Sequence, residues 1–231
     1  MPRYNIIGDI HGKGCWKELV REDCVNIFVG DYFDSKDGRS VDEVVANFED
    51  IIAFKRQRPE TVLLYGNHDL NYILDMDYRS RFSRKENVQV YQRMFAETAS
   101  FFDGAAYAIN DHILVSHAGV TCTWYEHYIG VYHGEGATEV AARINALWQR
   151  DKMAFTFSPN ATIEGDHWGE SPMHSPLWIR SWALPQDNLF AGTDITQIFG
   201  HTPQEDITTI APGLICVDCL HKRTKSYQLE V

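Results

Sequence analysis

Tyr4-Asn5-Ile6-Ile7-Gly8-Asp9-Ile10-His11-Gly12 decides how the rest of this sequence is read. A short apolar, β-rich run ends in a glycine, after which an aspartate and a histidine follow two residues apart. Glycine lets the chain leave a strand sharply and brings backbone close to an anion. Carboxylate and imidazole placed at such a turn are metal-ligand types. The same grammar recurs down the chain. Val25–Val29 runs into Gly30-Asp31-Tyr32-Phe33-Asp34, Val62–Tyr65 into Gly66-Asn67-His68-Asp69, and His112–Val115 into Ser116-His117-Ala118-Gly119. A weaker run, Asp194–Phe199, leads to Gly200-His201-Thr202-Pro203. Taken singly, an Asp or a Gly-Asn pair is an ordinary turn. Five in series at strand-to-loop junctions are not explained by packing.

The donors narrow the chemistry. Asp9, His11, Asp31, Asn67, His117 and His201 offer carboxylate, imidazole and amide oxygen without thiolate. Hard and borderline ligands of that mix suit Mn²⁺, Fe or Zn²⁺ in a five- or six-coordinate site, not a tetrahedral structural zinc. Six donors are too many for one ion that keeps a position open. Two divalent ions roughly 3.5–4 Å apart, sharing one carboxylate, fit the count and form a clamp for in-line displacement at phosphorus.

The ordered set GD-x-HG, GD-x-x-D, GNH-D, H-AG and GHT-P resembles the calcineurin-like metallophosphoesterase superfamily. Within it, the set is similar to the branch of PPP-type phosphoprotein phosphatases and symmetrical diadenosine tetraphosphate hydrolases. The likeness runs from Ile6 to about Asp218, where Ile215-Cys216-Val217-Asp218 matches a late strand ending in Asp. It implies an α/β layered fold, two sheets flanked by helices with the metals at strand ends. It also implies roles: Asp9 and His11 on the first metal, Asp31 bridging, and Asn67, His117 and His201 on the second. His68 would be the general acid and Asp34 its orienting carboxylate. Water or hydroxide bridging the metals would be the nucleophile, with manganese the expected ion and iron or zinc the alternatives. Pro176-Leu177-Trp178-Ile179-Arg180 resembles the family's W-x-R segment and makes Arg180 a phosphate clamp.

One position departs. The family's second motif ends in Arg where this chain has Ser35. Lys36 and Arg39 are the nearby candidates to supply the missing phosphate contact. The expected activity is phosphomonoester hydrolysis, on a phosphoprotein or a small phosphorylated metabolite. Ser35 leaves open a dinucleoside polyphosphate hydrolase or a phosphodiesterase. A binding scaffold that kept only the fold is the non-enzymatic alternative; the full ligand set and His68 argue against it.

Composition points the same way. Net charge is −11 with a sequence pI near 5.3, which speaks against a general nucleic-acid surface. No apolar run approaches membrane-spanning length. The N-terminus enters the first strand at once without a signal peptide, so a cytoplasmic enzyme with a phosphorylated substrate and no membrane partner is expected. The five cysteines are odd in number and lack framework spacing, which favours reduced thiols; Cys216-x-x-Cys219 reads as structural.

Strands are expected at Arg3–Ile7, Val25–Val29, Thr61–Tyr65, Gln197–Phe199, Ile207–Ile210, Leu214–Val217 and Thr224–Leu229, with a hairpin of Ala105–Ile109 and His112–Ser116. Helices are expected at Cys15–Glu22, Val41–Arg56, Asn71–Met76, Val88–Phe102 and Ala137–Arg150, the second opened by a Ser40/Glu43 capping box. The whole chain, 1–231, reads as one metallophosphoesterase domain with a substrate-covering insertion at 121–176. That insertion and its flank carry Tyr125, Tyr128, Tyr132, Trp148, Trp168, Trp178 and Trp182, read mainly as packing and partly as a stacking surface. His127, His133, His167 and His174 read as surface or hydrogen-bonding residues, not a third metal site.

Overall fold

Strand β1 (Arg3–Ile7) lies parallel to β2 (Val25–Phe28), with Ile6 opposite Ile27 and Ile7 opposite Phe28. β2 is parallel in turn to β3 (Val62–Leu63). The computed structural model describes residues 1–76, 85–157, 166 and 168–231; His167 and part of the 121–176 insertion lie outside them. A second sheet holds β4 (Ala106–Asn110), β5 (Ile113–Ser116), β6 (Thr196–Phe199), β7 (Thr208–Ala211) and β8 (Leu214–Cys216), in the order β4-β5-β6-β8-β7. The last strand, β9 (Tyr227–Glu230), returns antiparallel to β1 at the edge of the first sheet.

Period-two alternation explains the layers. Ile6, Ile27 and Val62 join Val115, Ile198 and Val217 in a buried cluster between the sheets. The neighbours that alternate with them, Ile7, Phe28 and Leu63, belong to the larger core with Phe48, Ile51, Tyr91 and Phe95. Those partners come from helices α2 (Val41–Gln57) and α4 (Lys85–Thr98). On the far side, Phe199, Leu214 and Cys216 pack against Ile179, Ala183 and Leu184. Both sheets are therefore mixed and covered by helices or loops, the layered α/β architecture expected from the strand–helix alternation.

Helix α2 starts as the sequence requires. Ser40 Oγ accepts the Glu43 N–H at 3.3 Å, and Glu43 Oε2 accepts the Ser40 N–H at 2.8 Å. Other boundaries move. The helix expected over Cys15–Glu22 is one turn, α1 (Trp16–Leu19). That expected over Val88–Phe102 is α4 followed by a 3₁₀ turn at Ala99–Phe101. The helix placed at Asn71–Met76 begins four residues earlier, as α3 (Asn67–Ile73). The reason is Asp69, whose carboxylate caps the helix by accepting the Gly66 N–H at 2.8 Å. Asn67 and His68 thus ride on a first helical turn instead of a free loop.

Residues 121–176 contribute α5 (Cys122–Tyr128) and α6 (Ala137–Arg150). Trp124, Tyr125, Trp148 and Phe155 are all buried in the main core. Among the described residues no helix is long and apolar enough to cross a membrane. All five cysteines are free thiols; Cys216 and Cys219 are buried, and the Cys216 sulfur lies 3.5 Å from the Gly200 carbonyl, beneath the His201 turn.

Candidate metal centre

The turns after β1, β2, β5 and β6, with the first turn of α3, converge on one buried point. Asp31 Oδ2 is its middle: His11 Nε2 lies 3.5 Å away, His117 Nε2 3.6 Å and His68 Nε2 3.9 Å. Two groups of metal-ligating side chains form there, His11 with Asp31 and His68, and Asp9 with Asp31 and His117. Asp31 belongs to both. Asn67 Oδ1 sits 2.9 Å from His117 Nε2 and 2.9 Å from His201 Nδ1, so it joins His201 to the cluster. The six expected ligands are therefore brought together, with His68 at their rim: its ring meets that of His11 edge-on at 5.0 Å.

Backbone makes this convergence possible and stores strain in doing so. His11, Asp31, Asp34 and His201 all adopt left-handed φ values, 43°, 56°, 57° and 64°. Non-glycine residues there cost on the order of 1–3 kcal/mol each and persist only where the surroundings over-determine them. Interlocking bonds do that here. His11 N–H donates to the Asp31 carbonyl at 2.6 Å, His68 N–H to Asp31 Oδ1 at 3.0 Å and His201 N–H to Asp9 Oδ1 at 3.0 Å. Two glycines are required by close approach: a Cβ on Gly66 would lie 2.1 Å from Asp31 Oδ1, and one on Gly200 2.2 Å from Asp9 Oδ1.

Electrostatics fit divalent ions. Burial drives His11 and His201 well below the usual imidazole range, so both are neutral donors. The buried Nε2 atoms of both lack a hydrogen-bond partner within the protein. Orphaned polar atoms of that kind are costly unless something binds them. Burial pushes Asp31 up, yet the imidazoles of His117, His68 and His11 outweigh it and hold the carboxyl well below its ordinary value. Asp9 is raised by burial, with the neighbouring Asp31 charge adding to the rise. A cation would relieve both effects.

His68 is equipped differently. Its Nδ1 lies 2.7 Å from Asp34 Oδ2, and the other oxygen of Asp34 accepts the Tyr72 hydroxyl. Burial lowers the His68 imidazole, but Asp31 and the bonded Asp34 more than compensate and raise it.

The cations divide. Arg180 Nη1 donates to the His201 carbonyl at 3.3 Å and Nε to the Trp168 carbonyl at 2.6 Å, which puts the guanidinium beside the centre. Exposed Lys36 acts electrostatically on Asp9, His11, His68 and His201. Arg39 is turned to Asp37, 3.9 Å away, and is not gathered to the cluster.

Three residues to which the sequence reading gave no role also stand at or near the centre. Asp69, fully buried, accepts N–H bonds from Asp31 at 2.9 Å, Tyr32 at 3.0 Å and Gly66 at 2.8 Å, tying the Asp31 turn to α3. Burial and the charge of Asp31 push its carboxyl up to about 8, while those N–H groups pull it down. Its place at the third helical position was the one local signal. Lys13, directly after the first motif, is buried 3.9 Å from Asp37. Asp218 is buried beside Asp9 with an unpartnered Oδ2, and burial then Asp9 drive its carboxyl well up.

A carboxylate shared between imidazole groups, with a carboxylate-bonded histidine and an arginine at the rim, is the equipment of a metal-dependent phosphoester hydrolase. The chain belongs to the calcineurin-like phosphoesterase family, whose model matches residues 2–205. No curated protein matches it by sequence. Its fold is similar to solved structures of a cold-active protein tyrosine phosphatase (TM-score 0.62, 18% identity, covering 100% of this chain and 74% of that one) and of the cold-active protein-tyrosine phosphatase of a psychrophile Shewanella sp. (0.63, 18%, 100% and 76%). It is also similar to a protein serine/threonine phosphatase from Saccharomyces cerevisiae (0.55, 15%, 94% and 66%).

Proposed function

We propose that the protein is a di-metal phosphomonoesterase, acting on a phosphoprotein or a small phosphorylated metabolite. The observation that carries this is the 2.7 Å bond from Asp34 to His68, whose other nitrogen faces the Asp31 cluster 3.9 Å away. A monoester with a poor leaving group needs a proton delivered to its departing oxygen, and a carboxylate-oriented imidazole is a suitable donor. Asp34 accepts at Nδ1 and leaves Nε2 to carry the proton toward the substrate. The phosphoprotein phosphatases of similar fold support a monoester reading.

Asp9, His11 and Asp31 would hold one ion, and Asp31, Asn67, His117 and His201 the other; manganese suits these oxygen and nitrogen donors. Bound divalent ions supply Lewis acidity toward phosphoryl oxygens and an activated water at neutral pH. Arg180 binds two phosphoryl oxygens in a fork. Lys36 adds positive potential from the loop where Ser35 stands, offsetting the missing arginine. The 121–176 insertion borders the substrate's approach.

Hydrolysis of p-nitrophenyl phosphate beside bis-p-nitrophenyl phosphate, in chelator and then in Mn²⁺, tests the reading, with Asp9→Ala as control. Monoester turnover that needs both Mn²⁺ and Asp9 is expected. Preference for the diester overturns the monoesterase assignment.

A further inference from the structure

Among the described residues, the large apolar side chains that stand exposed are Met1, Val131, Met153, Trp168 and Trp182. Both tryptophans lie on the stretch that carries Arg180, and that stretch is firmly built. Asp166 accepts N–H bonds from Trp168 at 3.1 Å, Gly169 at 2.9 Å, Glu170 at 3.1 Å and Ser171 at 2.7 Å. The same carboxylate bonds His174 Nε2 at 2.9 Å. Arg180 closes the turn through its own N–H to the Gly169 carbonyl at 2.9 Å.

Trp182 is fixed on this frame. Its indole N–H donates to Glu170 Oε1 at 3.0 Å, although the residue is 52% exposed. Its ring centroid lies 6.0 Å from the Arg180 guanidinium carbon. Arg180 in turn reaches the backbone carbonyl of His201, whose imidazole is joined to the metal cluster. A lone exposed tryptophan is unremarkable on any surface. An indole held in one orientation, one guanidinium away from a phosphoryl site, has a chemical use.

We propose that Trp182 and Arg180 form a subsite for an aryl phosphate monoester, the guanidinium taking the phosphoryl oxygens and the indole stacking on the aromatic ring. This rests on the monoesterase reading above and narrows its substrate class. Arg180 fixes the charged end of the substrate at the metal cluster. The ring attached to that phosphate then meets the indole, which offers a rigid apolar face with little entropy left to lose. An alkyl phosphate presents nothing to this face, so the subsite separates the two classes by binding.

The test uses two inert monoester mimics, phenylphosphonate and methylphosphonate, titrated calorimetrically into the Mn²⁺-loaded protein and compared as competitive inhibitors. Phenylphosphonate is expected to bind about tenfold tighter or more, the range that stacking on an aromatic side chain supplies. In Trp182→Ala that ratio falls toward one, and Trp182→Phe keeps part of it. Equal affinities in the unmodified protein, or a ratio that survives Trp182→Ala, overturn the subsite while leaving the monoesterase intact. If neither phosphonate binds, the monoesterase reading falls together with it. Free phosphotyrosine and a phosphotyrosyl peptide distinguish a small aryl phosphate from a polypeptide source. Trp182→Ala should lower kcat/KM at least fivefold for one of them, and no loss on either overturns the proposal.

Discussion

Asp34 joins two side chains from α3 through opposite oxygens, His68 at Nδ1 across 2.7 Å and the Tyr72 hydroxyl on its far side. Asp34 thereby holds the ring with Nδ1 toward itself and Nε2 toward the cluster, where a protonated imidazole would present its second proton. His68→Asn should keep both metals yet lose about 10²–10⁴-fold in kcat on an alkyl phosphate, the usual worth of general acid catalysis. The loss on p-nitrophenyl phosphate should be far smaller, because that leaving group needs little protonation. An equal loss on both substrates would remove His68 from the acid role.

On the proposed acid role the protonated form of His68 does the work, so turnover should fall as pH rises through its pKa. Asp31 and Asp34 raise that pKa against the effect of burial. Asp34→Asn deletes one raising carboxylate, and the alkaline limb of the pH–rate profile should move to lower pH. An unmoved limb with reduced kcat would mean that Asp34 only positions the ring.

Asp31 Oδ2 stands between imidazoles from three different elements. Asp31→Asn should therefore weaken both ions together, read as metal content per chain after dialysis. Retention of two equivalents of metal would exclude the bridging role.

The Asp166 carboxylate organises the Arg180 turn. Burial would raise its pKa, but the N–H groups of Glu170, Ser171 and Gly169 and the His174 imidazole hold it well below the carboxylate range. A depressed acid contributes stability that is fully present above its unfolded value of about 3.9 and lost as pH falls toward the folded one. Asp166→Asn should cost about 1–3 kcal/mol in urea denaturation at pH 7 and raise KM through Arg180. The deficit against the unmodified protein should shrink in acid, below pH of about 4. A constant deficit across that range would show that charge is not what Asp166 contributes.

Much of this was legible along the chain because ligand types at strand ends are a local signal. Asp9, His11, Asp31, Asn67, His117 and His201 could be named from their turns, and Ser40 with Glu43 announced α2. What stayed hidden depends on partners remote in sequence. Asp69 matters because Asp31 folds back onto it, and Tyr72 because Asp34 does. Neither contact leaves a periodicity. The tryptophans show the same limit: Trp148 is buried on the apolar stripe of α6 with Val140, Ile144 and Leu147, whereas exposed Trp182 sits in a turn with no period to say which way it faces. The direction of Arg39 was hidden as well, since it is set by a neighbour, Asp37, 3.9 Å away.

The left-handed backbone at His11, Asp31, Asp34 and His201 sets selection for endurance against selection for turnover. Glycine would relax each of those positions, and each replacement would delete a donor or the carboxylate that aims one. A library screened for heat resistance alone would favour glycine at His11 and His201, at the expense of the centre, whereas at Asp31 and Asp34 glycine would also orphan the His68 N–H and the Tyr72 hydroxyl. The centre is thus bound to backbone conformations that stability alone does not favour.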